Sequence, residues 1–298
     1  DEIARRISFG LGVPARERVD HPVLEKIRTT GFAPQRELAR LAAAQLGTVG
    51  SGNHYVDLLE DEQGRIWVGV HFGSRGFGHK TASGFLALAR GLGFEERVRE
   101  GGMDSPPVLF PVDSELGRSY IQAMQLAGEY AYAGRDVVVE KVLDILGSRA
   151  LHEVHNHHNF AWREEHLGRA YWVVRKGCTP AWPGQEGFVG GSMGDESVIL
   201  EGVGGDEAQA ALASTVHGAG RALSRRQANR TVDWPEVRRR LRERGIVLVG
   251  GGADEAPEAY KRLPDVLAAH AGSIRVKHRL RPLGVAMAAR DVRDPYRD

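Results

Sequence analysis

Cysteine is nearly absent from this sequence: of 298 residues one is cysteine, Cys178. An intrachain disulfide is therefore excluded, which fits a reducing cytoplasm better than an oxidising compartment. No apolar run approaches the length needed to span a bilayer, and no signal peptide opens the chain. Charge of one sign is also missing. Lys and Arg number 40 against 39 Asp and Glu, a net charge of +1, so any nucleic-acid surface has to be a local patch rather than a property of the whole chain. Internal repeats and low-complexity linkers are absent too. The sequence opens at Asp1 without methionine and runs directly into Ile3, Ile7 and Phe9, as a chain cut inside a fold would.

What the sequence has in quantity is glycine, 38 residues, concentrated in loops that adjoin histidines and arginines. Residues 47–54 form one such loop and lead into a strand over 55–59. A second strand, 66–71, ends at His71 and enters the loop Phe72-Gly73-Ser74-Arg75-Gly76. A third loop spans 187–194 before a strand at 197–200. Helical periodicity covers 20–46, 79–91, a stretch capped by Asp113 or Ser114 through Tyr130, 137–146, and a charged segment from Asp233 to about Gly245. Strands are expected at 170–174, 246–249 and 274–280, and a loop or lid at 97–113. Strands and helices alternate irregularly, which predicts an α+β fold in one domain.

The segment His217-Gly218-Ala219-Gly220-Arg221 concentrates the chemistry. If a helix starts here, His217, Arg221 and Ser224 or Arg225 share a face, and arginines near a helix start favour phosphate. A histidine so placed can attack phosphorus and carry a phosphoryl or nucleotidyl group. A buried histidine at a tight turn with solvated arginines behind it fits the same residues. His54 and His71 also sit where strand meets glycine loop, and His158 lies in a histidine–asparagine cluster in which His155 and His157 are rival ligands. Imidazoles gathered from separate loops make a metal site. Arg75, Arg175, Lys176, Arg221 and Arg225 lie in or beside glycine-rich loops, and Ser192-Met193-Gly194 offers small residues and backbone donors to a nucleotide. Together these suggest metal-assisted phosphoryl or nucleotidyl transfer. The alternating basic residues Arg275, Lys277, Arg279 and Arg281 read as a solvated edge strand, with contact to RNA phosphate as the alternative.

Seven motifs in order carry a family resemblance. They are 47–54, 71–76, His157-His158-Asn159-Phe160, Arg175-Lys176-Gly177, Gly191-Ser192-Met193-Gly194, 217–221 and Asp254-Glu255-Ala256-Pro257-Glu258-Ala259-Tyr260-Lys261. From about Ile7 to Leu283 the chain resembles the RtcB family of GTP-dependent RNA ligases, proteins of RNA repair and tRNA splicing. The resemblance implies a mixed α/β catalytic domain with a central cleft, two manganese ions, GTP as cosubstrate and RNA ends as substrate. It implies that RNA 3′-phosphate or 2′,3′-cyclic phosphate ends are joined to 5′-hydroxyl ends. His217 would be the guanylylated nucleophile, His71 and His158 would hold one manganese, and His54 the other. Asn53, Asp57, Asn159, Ser192, Met193, Ser197, Ala219, Gly220 and Tyr260 would line the guanylate site. Arg75, Lys176, Arg221 and Arg225 would meet RNA phosphate.

The sequence departs from the family pattern at four places. Asp57 replaces a glutamate, and Val189 stands near where proline is more usual. The C-terminal lysine-glycine pair is replaced by a run from Met287 to Asp298. An aspartate-cysteine metal motif, which the family places upstream of Asp1, is not in the sequence, and Cys178 belongs to a different motif. A metal-dependent phosphoesterase or nucleotide hydrolase, and a non-catalytic binder of RNA ends or nucleotide, are the alternatives compatible with the same pocket.

Overall fold

A computed structural model of the chain describes residues 1–98 and 107–289. In chain order the elements are α1 (Glu2–Arg6), α2 (Pro22–Thr29), α3 (Ala33–Glu37), α4 (Ala39–Gln45), β1 (Tyr55–Glu60), β2 (Ile66–His71), α5 (Arg75–Leu88), α6 (Glu115–Leu146), β3 (Asn159–His166) and β4 (Arg169–Lys176). There follow β5 (Cys178–Pro180), β6 (Glu186–Val189), β7 (Ser197–Gly202), α7 (Asp206–Ala210), β8 (Ser214–Val216), α8 (Arg225–Thr231), α9 (Trp234–Glu243), β9 (Val247–Gly251), α10 (Leu263–Ala268) and β10 (Ile274–Ala289). The fold is mixed α+β, as the pattern predicts.

The main sheet runs β2-β1-β10-β7-β6, with β9 parallel to β10. Strand β10 is its spine. Its first half pairs with β7 and its second with β1 and β9. Arg275, Lys277 and Arg279 lie on the half of β10 that pairs with β7 alone, and Arg281 starts the half paired with β1. Each of these exposed cations meets a carboxylate from another strand or a loop. Arg275 pairs with Glu201 at 2.7 Å, Arg279 with Glu196 at 3.6 Å, Lys277 with Glu186 and Arg281 with Glu60. A stripe that reads as basic is thus locally neutralised.

Helix α6, 32 residues long, packs across the sheet and the helices α2, α4 and α5. Ser114 caps it by accepting from the Gly117 N–H at 2.9 Å, and Gly147 closes it at φ 61°. The two helices expected here are one, because nothing between Tyr130 and Val137 breaks the backbone ladder. Gly134 costs such a helix about 1 kcal/mol against alanine; an added Cβ there would lie 3.4 Å from the Phe72 ring. One face of α6 buries Leu126, Tyr130 and Ala133 with Ile27, Leu46 and Phe77. Farther along, Val138 and Val142 pack on Ile7, Val56 and Phe72 of the sheet side. The helical pattern over 20–46 divides into three pieces: Gly31 lies in the first break, Pro34 sits in the first turn of α3, and the second break falls at Leu38.

Several short strands escape a periodicity reading. β3, β5, β6 and β8 lack a clean apolar alternation, and β6 falls inside the expected glycine loop. The β3–β4 hairpin is held by Arg175, which is 1% exposed. Its guanidinium donates to both carboxylate oxygens of Glu164 (2.8 and 2.9 Å), to the Ser214 hydroxyl and to the Leu212 carbonyl. Arg175 is therefore a buried structural residue and not a phosphate contact. Part of the loop expected over 97–113, residues 99–106, lies outside the described residues, as does the C-terminal run from Arg290 to Asp298. Among the described residues no helix is long and apolar enough to cross a membrane.

Leu280, fully buried on the central strand with Leu59 and Ile199, tests the role of β10. Leu280→Ala should destabilise the chain by roughly 2–5 kcal/mol in urea unfolding, the usual cost of a core truncation. A loss below about 1 kcal/mol would contradict a central position for this strand.

A candidate metal and nucleotide centre

β1 and β2 are antiparallel, and their register sets Tyr55 opposite His71. His54, one residue before β1, and His71, the last residue of β2, are brought side by side by that register. Their rings stand 5.9 Å apart. His158 enters from the segment before β3 and His217 from the residue after β8. The His71 and His158 centroids are 4.7 Å apart, and His158 stacks on His217 at 4.5 Å with 7° between planes. One nitrogen each of His71, His158 and His217 lies within 4.8 Å of the others. His54, His71, His158 and His217, singled out in the sequence, form a chain of ring contacts; of their rivals, His155 lines the same cleft without joining the triad. His157 instead stacks on Phe160 and meets Tyr132 edge-on.

The electrostatics suit ligation. Burial pulls His71 well below the usual histidine range, with further repulsion from His158, His54, His217 and Arg135. Burial, then His217 and Arg135, bring His158 down to about 4. Burial also lowers His217, against a backbone hydrogen bond with Gly177 that raises it. All three imidazoles are then neutral near pH 7, the form that ligates metals and attacks electrophiles. Nδ1 of His217 is buried and has no hydrogen-bond partner among the described residues.

The cleft measures about 1240 Å³, and its walls include Tyr55, His71, Arg135, His155, His158 and His217. Beside the cleft, the first glycine loop closes at Gly50. A Cβ there would stand 2.1 Å from His54 Nδ1 and 2.3 Å from an Arg75 nitrogen, so the loop closes on these side chains because this residue has none. Arg75 begins α5 at φ 51°, an uncommon conformation for a side chain of that size. Its guanidinium reaches back to the Gly10 carbonyl at 3.3 Å and the Thr48 hydroxyl at 3.4 Å.

The remaining predicted residues fall into separate groups. Asn159 and Lys176 face each other across the β3–β4 hairpin, both exposed. Asn53 is exposed in the loop before His54. Asp57, 7% exposed, lies on β1 with Oδ1 lacking a partner among the described residues. Ser192 donates to Asp195 at 2.6 Å, and the buried Ser197 hydroxyl accepts from the Gly191 N–H at 3.1 Å. Met193 is a core residue beside Val237 and Leu241. Ala219 is buried and Gly220 exposed at φ 76°.

No helix starts at His217. Gly218 bridges to Gly190 and Arg221 to Tyr260, and the Ala259 carbonyl accepts from Ala222 N–H at 2.8 Å. These contacts keep 217–223 out of a helix, and the helix begins after Ser224, which caps it. Arg221 and Arg225 therefore do not share a helix face with His217. Arg221 donates to the Asp254 carbonyl at 2.6 Å and to the Tyr260 hydroxyl at 3.1 Å, with its guanidinium 5.0 Å from the centre of that ring. Arg225 pairs with Asp254 at 2.9 Å and with Glu255, and it would be 3.1 Å from a Cβ at Gly52. Arg225 thus joins the 254–260 segment to the first glycine loop through a buried acidic pair, while Arg221 binds the 254–260 segment alone.

Two participants were missed in the sequence. Tyr55 stacks on His71 at 5.3 Å, and its hydroxyl would be 2.2 Å from a Cβ at Gly190. Arg135, 7% exposed on α6, touches the cleft from behind. Its signal was slight: an arginine that follows the run Ala131-Tyr132-Ala133-Gly134 and precedes the half-exposed Asp136.

The chain also matches known proteins over most of its length. A family model described as tRNA-splicing ligase RtcB matches residues 20–288. The RNA-splicing ligase RtcB of Escherichia coli (strain K12) is 32% identical over 254 residues, covering 79% of this chain and 59% of that protein. The tRNA-splicing ligase RtcB of Thermococcus kodakarensis is 34% identical over 364 residues, covering 96% of this chain and 74% of the relative. That of Pyrococcus furiosus is 35% identical over 296 residues, covering 82% and 30%. The chain thus spans 59% of the length of the Escherichia coli relative.

Burial holds the Asp57 carboxyl well above the usual carboxylate range. Such a group stays protonated in the folded chain at pH values where the unfolded chain ionises. Its contribution to stability is present below the unfolded value, near 4, and is lost as pH rises toward the folded value. Without metal or nucleotide, the difference in urea midpoint between Asp57→Asn and the parent should move in favour of the variant from about pH 4 to about pH 8. A difference independent of pH, or one moving the other way, would contradict a buried neutral acid.

Proposed function

The chain belongs to the RtcB family, and from that premise we propose that it is a GTP- and manganese-dependent RNA ligase with His217 as the guanylylated nucleophile. Its substrates are RNA 3′-phosphate or 2′,3′-cyclic phosphate ends and 5′-hydroxyl ends. The observation that carries the reading is the stack of His71, His158 and His217, in which ligand-type and nucleophile-type imidazoles share one cleft.

The residues present fit a divalent ion. Their nitrogens converge within 4.8 Å, burial keeps them neutral, and imidazole suits first-row transition metals. His71 and His158 would hold one manganese, and His54 would contribute to a second. Bound there, the metal supplies charge neutralisation on phosphate oxygens.

His217 then does the covalent work. A lone pair of its neutral ring attacks the α-phosphorus of GTP, a P–N bond forms, and pyrophosphate leaves. The resulting phosphoramidate is labile, so an RNA 3′-phosphate oxygen can take the guanylate and free the imidazole. Attack by a 5′-hydroxyl on the activated phosphorus closes the phosphodiester and releases GMP. A 2′,3′-cyclic end is first opened by water to the 3′-phosphate.

Around this centre, Asn53, Asp57, Asn159, Ser192, Met193, Ser197, Ala219, Gly220 and Tyr260 are assigned to the guanylate site. Met193 and Ser197 serve it by shape and turn geometry, since Met193 is in the core and Ser197 holds the Gly191 amide. Arg75, Lys176, Arg221 and Arg225 are assigned to RNA phosphate. Lys176 is exposed for direct contact, while Arg225 can reach phosphate by exchanging part of its pairing with Asp254 and Glu255.

Incubation with manganese and GTP labelled at the α-phosphate should leave acid-labile label on the protein. His217→Ala should reduce it to background while the folded spectrum is unchanged. Label on His217→Ala at the parent level would overturn the assignment. Phosphate release or cyclic-phosphate opening without joined RNA would favour a phosphoesterase.

A further inference from the structure

Arg135 binds two segments of the site at once. An arginine side chain has five N–H donors in a planar fork and no acceptor. Here Nε donates to His155 Nε2 at 2.7 Å, and Nη1 donates to the Phe72 carbonyl at 3.0 Å. Phe72 follows His71, and His155 lies three residues before His158. One rigid group, mounted midway along the longest helix described, thus reaches both segments that deliver candidate metal ligands.

The same hydrogen bond fixes the chemistry of His155. Arg135 cannot accept, so Nε2 is the acceptor, and in the neutral ring Nδ1 carries the proton. That Nδ1 lies 3.3 Å from Asp136 Oδ1 and 3.4 Å from Glu153 Oε1. The three side chains are spaced as a metal site would be, yet a protonated nitrogen has no lone pair to give an ion. Two partly exposed carboxylates facing an N–H are an orienting pair instead. Tyr132 completes the seat. Its ring packs edge-on against His155 at 3.8 Å, and its hydroxyl donates to the His155 carbonyl at 3.4 Å.

We propose that Arg135 and His155 form a clamp that positions His71 and His158, and that Asp136 and Glu153 orient His155 rather than hold a second metal ion. The clamp rests on reading His71 and His158 as ligands. Partners one shell removed from a metal typically account for about 10–100-fold in affinity. Arg135 is a positioning residue, since it acts through the two segments it holds.

The test combines ring ¹⁵N NMR of the full chain with Mn²⁺ titration followed by EPR. In the parent protein His155 should show a protonated Nδ1 and a bare Nε2. Arg135→Met should weaken Mn²⁺ binding by about 10–100-fold while unfolding stays cooperative. His155→Leu should do the same. His155→Gln, which returns an acceptor near the Nε2 position, should recover most of the loss. If Arg135→Met does not fold, the His155→Leu and His155→Gln comparison decides.

A protonated Nε2, or affinity within about twofold of the parent in the folded clamp variants, would overturn the proposal. So would an Mn²⁺ site that survives His71→Ala/His158→Ala but is lost in Asp136→Asn/Glu153→Gln. If the parent binds no Mn²⁺, the metal-centre reading fails by itself. The clamp is then judged on the tautomer and on whether Arg135→Lys displaces the His71 and His158 ring resonances, unmoved resonances ruling it out.

Discussion

The pairing register of β1 with β2 is the constraint on which the centre depends. With Tyr55 opposite His71, the residue entering one strand and the residue leaving the other occupy the same end of the sheet. A slip of one residue would turn His71 to the opposite face and separate the two glycine loops that follow from these strand ends. The register is itself held from the other side by β10, whose pairing with β1 carries an irregularity between Leu58 and Leu59. Behind the sheet, α6 packs Val138 and Val142 on Val56 and Phe72, so the helix that bears Arg135 is tied to the strand that bears His71.

Much of this was legible in the sequence, and the reasons are physical. Strands β1 and β2 are short apolar runs bounded by glycine, with His54 and His71 at their junctions with loops, and these two meet His158 and His217 in space. Ordered motifs carried the family, which spacing alone would not have done. What was not legible depended on pairing. Nothing local to Ile274–Leu280 says that acidic residues of β7 and the neighbouring loops will neutralise its basic stripe. Nothing local to His217 says that bridges from Gly218 to Gly190 and from Arg221 to Tyr260 will delay the helix until after Ser224. Arg175 read as a phosphate ligand because its partner, Glu164, is defined only once β3 and β4 pair.

The arginines divide by partner. Arg175 is committed to a buried carboxylate and the hairpin. Arg135 is committed to a ring nitrogen and a carbonyl, with no carboxylate in hydrogen-bond contact among the described residues. Arg221 and Arg225 share the 254–260 segment, and Arg225 also stands beside the first glycine loop. Burial, helped at His71 and His158 by the neighbouring rings and Arg135, is what keeps the imidazoles of the centre neutral.

The most direct test of the convergent histidine centre is electron spin echo envelope modulation of Mn²⁺ bound to the chain. The account predicts ¹⁴N couplings from imidazole, reduced in His71→Ala and His158→Ala. Mn²⁺ bound without nitrogen coupling, or with coupling indifferent to both substitutions, would contradict it.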